Sequence, residues 1–289
     1  MISKKVELMA PAGSLESLRA AIQAGADSVY FGVEQLNMRV RASSSLTIND
    51  IPEITAICKA GGVKTYLTLN TVLYGHDINI MKSIMDAAQK YGVNAIIASD
   101  PAVLKYCKSV QMPVHISTQA NVSNIPTVEF FADYADVIVL ARELSLSQVE
   151  AIVREIERKK IIGSSGNLIG IEVFAHGALC MAISGKCYMS LHTDFASANR
   201  GACSQNCRHN YVVTDKESGA EFEIDNEYIM SAKDLCTIDF LDQLIPAGIS
   251  VLKIEGRGRS ADYVYTVTKC YREAITAYYN GKFSPVPPS

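Results

Sequence analysis

Four of the eight cysteines in this chain, Cys180, Cys187, Cys203 and Cys207, fall in one short stretch that follows a hydrophobic run ending at His176. Six residues separate the first pair and three the second. Clustered thiols at the end of a strand predict a metal site beside a functional face. Structural zinc held by four cysteines commonly uses pairs about two to four residues apart, a spacing that only Cys203 and Cys207 meet. The wider first pair suits a centre whose ligands bind separate irons, and thiolates are the usual ligands of a [4Fe-4S] cluster. On spacing alone, iron–sulfur, zinc and unliganded thiols all stay open. Radical chemistry with adenosylmethionine would need a cysteine at the position held by Asn210, so a cluster here would be of another kind.

The remaining cysteines supply the contrast. Cys58, Cys107 and Cys270 sit singly in stretches with helical apolar periodicity, where a thiol behaves as a small hydrophobe; Cys236 is held in reserve. The opening residues do not read as a signal peptide, and the apolar runs are too short to span a bilayer, so no membrane insertion is expected. A reducing cytoplasm follows, where a cysteine-rich segment more often binds metal or does redox chemistry than forms disulfides.

The elements that must position these thiols can be read from alternating patterns. Short apolar runs predict strands over 6–10, 28–31, 65–69, 95–98, 114–117, 137–140, 170–174 and 251–254. Amphipathic stretches run between them, and those over 15–25 and 80–92 close on glycine, as a helix end should. Eight buried strands alternating with helices argue for parallel pairing in a closed (β/α)8 TIM-like barrel. A chain of 289 residues, 48% hydrophobic, is long enough for one such barrel of about 250 residues. Residues 1–177 are expected to form the first seven βα units and 231–283 the last strand and helices, with 284–289 a frayed tail. Between them, 178–230 breaks the alternation as a Cys-rich insertion with a hairpin from Tyr211. An insertion after strand seven sits over the C-terminal mouth, where barrel enzymes keep their chemistry.

Polar residues gather where those strands should end. Asn70, Asp100, His115, Ser117, Gln119, Arg142, Glu172, His176, Lys253, Glu255 and Arg257 all lie in or just after predicted strands. Alternate residues of a strand point to one side, so His115, Ser117 and Gln119 should share a face, as should Lys253, Glu255 and Arg257. The plain structural alternative is that Lys253 pairs with Glu255 inside the barrel and that His115 is a satisfied core histidine. Buried charge is costly unless paired or used, which favours function for the set. The net charge of −3 gives no general attraction for nucleic acid. A local basic patch from Arg39, Arg41, Arg200, Arg208, Arg257 and Arg259 is compatible with it.

At this level of detail the residues resemble a known family. The run Glu172-Val-Phe-Ala-His-Gly-Ala-Leu-Cys180, continued to Cys187 and Ser190, looks like the signature of the peptidase U32 family, also called collagenase-like proteases. Glu7 to Gly13, Ala24 to Gly32, His115 to Gln119, Leu140 to Glu143, Asn199 to Arg208, Ser231 to Leu235 and Lys253 to Arg257 resemble further family blocks. No HExxH zinc motif, GxSxG elbow or hydrolytic triad is spelled out. Better-understood relatives are oxygen-independent hydroxylases of tRNA wobble uridine, of a ribosomal RNA cytidine and of the ubiquinone ring, with a [4Fe-4S] cluster on four cysteines and, in several, prephenate as oxygen source. The resemblance implies Cys180, Cys187, Cys203 and Cys207 as ligands, with Cys236 as the substitute for Cys207, and is closer to the tRNA branch.

On that reading Arg142, Lys253 and Arg257 bind donor carboxylates, helped by Asn70 and Gln119. His115, Glu172, His176 or Glu255 move protons, and Arg39, Arg41 and Arg208 face RNA. Longer tRNA-acting relatives carry a small β-domain after the barrel, which leaves two expectations: the sequence is truncated before such a domain, or the substrate is delivered differently, as through a partner subunit. Three other readings stand beside it: a hydroxylase subunit acting on a quinone precursor, a true U32 peptidase, and a zinc-stabilised non-catalytic scaffold.

Overall fold

The structure is a computed structural model that describes residues 5–39, 46–223 and 229–285. Seven strands come first: β1 (Glu7–Pro11), β2 (Ser28–Phe31), β3 (Lys64–Leu69), β4 (Ala95–Ala98), β5 (Val114–Ile116), β6 (Val137–Val139) and β7 (Gly170–Gly177). An antiparallel pair, β8 (Val212–Thr214) and β9 (Glu221–Glu223), follows, then β10 (Leu235–Cys236) and β11 (Val251–Ile254). Each of β1 to β6 pairs in parallel with the next, β6 pairs with β7, β7 with β11, and β11 returns to β1. Eight parallel strands thus close on themselves as a (β/α)8 barrel.

The helices outside it are α1 (Leu15–Gln23), α2 (Ile51–Ala60), α3 (Ile78–Lys90), α4 (Pro101–Ser109), α5 (Ile125–Ala132), α6 (Leu146–Lys159), α7 (Met189–Asp194), α8 (Leu241–Leu244) and α9 (Ala261–Tyr279). Their starts are capped by side chains that accept an otherwise unpaired amide N–H: Ser14 for α1, Asp100 for α4, Asn124 for α5, Ser145 for α6 and Ser260 for α9. Asp100 also accepts from Leu73 N at 2.9 Å, so its carboxylate serves local structure. Among the described residues no helix is long and apolar enough to cross a membrane.

Two apolar layers separate by strand alternation. Val29, Phe31, Leu252 and Ile254 point outward into the main core beneath the helices, whereas Met9, Tyr30, Tyr66, Ile97 and Val251 fill the barrel interior. Cys58 and Cys107 are buried in this outer core, but Cys270 is exposed. The buried face of α9 runs through Val264, Thr268, Tyr271 and Ile275, and Cys270 lies off that stripe.

The strands match the expected segments to within one to three residues. The largest difference is β7, which continues to Gly177 because β10 adds to it antiparallel, with Leu235 opposite Gly177 and Cys236 opposite His176. Its register against β11 slips between Lys253 and Ile254, where Phe174 faces Lys253 but His176 faces Ile254. That bulge resets the alternation of the strand end.

Candidate active site

The polar ends of the strands and the insertion after β7 enclose a cavity of about 280 Å³. Its lining includes Asn70, Gln119, Arg142, Lys253, Glu255 and Arg257 from strand ends, Arg39 and Arg208, and all four of Cys180, Cys187, Cys203 and Cys207. Six basic side chains, Arg39, Arg142, Arg208, Lys253, Arg257 and Arg259, face one carboxylate, Glu255, across it. An acidic chain has therefore concentrated positive charge at the barrel mouth.

The floor is built around Lys253. Its Nζ donates to Glu172 Oε1 at 2.8 Å, and lies 4.5 Å from the centre of the Tyr30 ring and 5.6 Å from that of Phe174. Glu172 is 0% exposed and takes a second hydrogen bond, 2.9 Å, from His115 Nδ1. Burial by itself would raise the Glu172 carboxyl, but the Lys253 charge and the His115 bond outweigh it and hold it at about 2. His115 in turn lies 4.4 Å from the ring of Tyr66. Lys253 therefore pairs with Glu172 and not with Glu255, and His115 is the buried second partner of the same carboxylate.

Glu255 belongs to a different pair. Arg39 donates to its Oε1 from Nε at 3.0 Å and from Nη2 at 2.8 Å, and the Tyr30 hydroxyl lies 3.1 Å from Oε2. Against the raising effect of burial, Arg39 and Arg257 hold this carboxyl down at about 2. Burial, reinforced by Glu255, pushes the Tyr30 phenol well up, so it stays protonated. Arg39 is thus committed to an internal carboxylate. Arg208 approaches Asp234 at 3.8 Å, and Arg41 lies outside the described residues.

Arg257 and Arg142 are arranged differently, because among the described residues neither forms an ion pair. Arg257 is 5% exposed, donates from Nη1 to Thr68 Oγ1 at 2.8 Å and Asn37 Oδ1 at 3.2 Å, and stacks 5.5 Å over Tyr30. Its Nε is buried and has no partner among the described residues. Gly32 makes the seat possible, since a Cβ there would stand 2.9 Å from Arg257 Nη1. Arg142 donates to Ser184 Oγ at 2.7 Å and lies 5.8 Å from the Phe174 ring centre. Two guanidinium groups therefore flank the Tyr30–Lys253–Phe174 stack with donors to spare.

The insertion is fastened to the strand ends at several points. Gly185, at a φ of +75° that side chains rarely adopt, lets the loop between Cys180 and Cys187 meet Gln119; a Cβ there would fall 2.1 Å from Gln119 Oε1. Between the ends of β3 and β5 themselves, Asn70 Nδ2 donates to Ser117 Oγ at 3.2 Å. Arg200 pairs with the buried Asp77, and Val72 N donates to Asn199 O at 3.1 Å. The eight cysteines are free thiols. Burial raises the Cys207 thiol, and the nearby charges of Cys180, Cys203 and Cys187 add to this while Arg208 opposes it. Cys236 is exposed and outside the cavity lining.

His115, Glu172 and His176 are not in the cavity lining. The β7 bulge turns His176 toward α9, with ring centres 5.6 Å from Tyr271 and 6.1 Å from Tyr263; its Nδ1 is buried without a partner, and burial lowers its pKa. Tyr30 and Phe174, the aromatic walls of the site, were not among the expected site residues. Phe174 on β7 lies level with Lys253 on the adjacent β11, and Tyr30 is the inward-alternating aromatic of β2, one strand further round past β1.

Comparison with known proteins gives the family. Residues 13–287 match the model of peptidase family U32. Over 277 residues, 96% of this chain and 67% of the relative, the sequence is 56% identical to a protein of Porphyromonas gingivalis named collagenase. It is 37% identical over 285 residues to tRNA hydroxylation protein P1 of Bacillus subtilis, covering 96% of this chain and 65% of that protein. The chain spans about two thirds of the length of these relatives. A solved structure described as a U32 peptidase superposes with a TM-score of 0.56 at 12% identity, over 89% of this chain and 95% of that one, in agreement with the barrel. The chain belongs to peptidase family U32.

Proposed function

We propose that this chain is the catalytic barrel of an oxygen-independent RNA hydroxylase, with a tRNA wobble uridine as the substrate base and prephenate as the oxygen donor. The observation that carries the reading is one cavity lined by four free thiols and six basic side chains against one carboxylate. The relative named tRNA hydroxylation protein P1 supports it. In outline, a C5–H of the base becomes C5–OH while a C–OH of the organic donor becomes C–H, so the oxygen atom moves and the two electrons lost by the base are gained by the donor.

The donor set is one that suits a [4Fe-4S] cluster: four thiols line one space, and thiolates are the usual ligands of such a centre. Ligands of a four-iron cluster bind separate irons and stand further apart than those around one zinc. Cys180, Cys187, Cys203 and Cys207 would hold it, and when bound it supplies single-electron chemistry.

The chain's own residues do the rest. Arg257 and Arg142 clamp the donor's two carboxylates, and the Tyr30 and Phe174 rings, with Lys253 between them, give its cyclic body an aromatic floor. Lys253, hydrogen-bonded to Glu172, adds a positive charge at the floor. Glu172 and Glu255, ionised and paired, anchor these cations; the Tyr30 hydroxyl is the proton-bearing group that lines the cavity beside Glu255.

The name of the 56% identical relative favours hydrolysis as the second reading. Against it, His115 and Lys253 both turn to Glu172 and neither is hydrogen-bonded to a hydroxyl or thiol that could serve as nucleophile. The test is anaerobic purification with iron and sulfide analysis, repeated on Cys180→Ser and Cys236→Ser, followed by nucleoside analysis of tRNA from a deletion strain. About four irons per chain, lost in Cys180→Ser and kept in Cys236→Ser, with a missing hydroxyuridine in the strain, is the expected result. Stoichiometric zinc, or peptide cleavage by iron-free protein, would overturn it.

A further inference from the structure

Arg39 is committed to Glu255, so the grip on a polynucleotide must come from another part of the mouth. The short helix α7 follows Cys187, and its Met189 and Ser190 line the cavity. Tyr188 and Phe195 are its N- and C-cap residues, and both are exposed, as is Leu191 between them. Tyr188 is 75% exposed and Phe195 is 91% exposed. Phe195 also caps the helix at a φ of +51°, a conformation costly for a bulky side chain. A large ring is thus held in strained backbone with almost no packing in return.

The loop after β3, at the same end of the barrel, adds a third ring with a positive charge against it. Tyr74, on the loop after β3, is half exposed beneath the Arg200 guanidinium, 4.3 Å from its ring centre. Lys186 is exposed two residues before Tyr188, and the cavity beyond carries six basic side chains against one carboxylate. Exposed rings beside a cationic opening match the chemistry of unpaired nucleotides, whose bases stack on aromatic faces while phosphates meet cations. A protein partner would favour a dry apolar patch with less charge at its centre.

Resting on the RNA reading above, we propose that the exposed α7 surface formed by Tyr188, Leu191 and Phe195 is a stacking platform for unpaired nucleotides that flank the base entering the cavity. Such a platform gives affinity for single-stranded loops without reading their sequence, and leaves base choice to the cavity.

The test uses the whole 289-residue chain and a fluorescein-labelled anticodon stem-loop RNA, with a fully paired duplex as the control. Anisotropy titrations compare the wild type with Tyr188→Ser, Phe195→Ser and Tyr188→Phe across a range of salt. Loss of each ring is expected to weaken stem-loop binding by about tenfold, with Tyr188→Phe unaffected. The dependence of affinity on salt should keep its slope, because no phosphate contact is removed. If the wild type binds no stem-loop, the RNA reading itself falls and the platform with it. If the wild type binds and the serine variants bind equally well, the platform alone is overturned. Should sedimentation show a wild-type dimer that Phe195→Ser dissociates, the surface is a protein interface and the proposal is wrong.

Discussion

Replacing Lys253 by Met tests the charge arrangement at the barrel floor. The substitution keeps the apolar stem between Tyr30 and Phe174 and removes only the ammonium from Glu172, which is 0% exposed. Removing one partner of a buried ion pair typically costs about 3–5 kcal/mol. The hydrogen bond from His115 survives at 2.9 Å, which places the expected loss at the lower end, about 3 kcal/mol. For a chain of this size that corresponds to a fall in Tm of about 6 °C, and to a lower urea midpoint at unchanged slope. The pH dependence gives a second reading. In the wild type the Glu172 carboxyl is held at about 2, below its ordinary 4.5. Its stabilising contribution is therefore complete above about 4.5 and lost as pH falls toward about 2. In the variant burial dominates, the carboxyl rises above its ordinary value, and the penalty at neutral pH is relieved as pH falls. The gap between the two proteins should narrow steadily on acidification, and Glu172→Gln in the variant background should recover part of the loss. A variant as stable as the wild type at neutral pH, with a gap that does not change with pH, would refute the buried pair.

Two further outcomes follow from the same geometry. Arg257→Lys keeps a positive charge but cannot reproduce the paired donors seated by Thr68 and Asn37, so calorimetric binding of prephenate should weaken by about 10- to 100-fold; unchanged affinity would remove Arg257 from the donor site. Cys58 and Cys107 are pushed up to about 12 by burial, while Cys270 is exposed. Iodoacetamide on the native protein at about pH 8 should therefore modify Cys270 and spare the other two, as read by peptide mass spectrometry; equal labelling of all three would contradict the packing of α2 and α4.

The barrel was legible because its strands are short, apolar on both faces and bounded by glycine and polar residues, which fixes their positions almost without tertiary information. The last helix falls within the expected 231–283, where Ser260 caps its start at Ala261. The convergence of Asn70, Gln119, Arg142, Lys253, Glu255 and Arg257 on one cavity follows from the same alternation. Pairing within that set was not legible. Glu172 sits on β7, and its partners come from β5 and β11, so the choice of Glu172 over Glu255 for Lys253 depends on register across strands. The turn of His176 away from the cavity depends on one bulge, which a period-two pattern cannot reveal. Cys270 was misjudged because the helical periodicity of α9 places a residue on a stripe only when the stripe's direction is known.

The hydrogen-bonded ladder between β7 and β11, with Val251 opposite Glu172 and Lys253 opposite Phe174, seals the barrel without help from the thiol-bearing segment that joins them in sequence. The seam of the barrel is thereby carried by backbone pairing that uses no side chain, so substitutions in the thiol-bearing segment change the mouth while the register that closes the barrel stays the same.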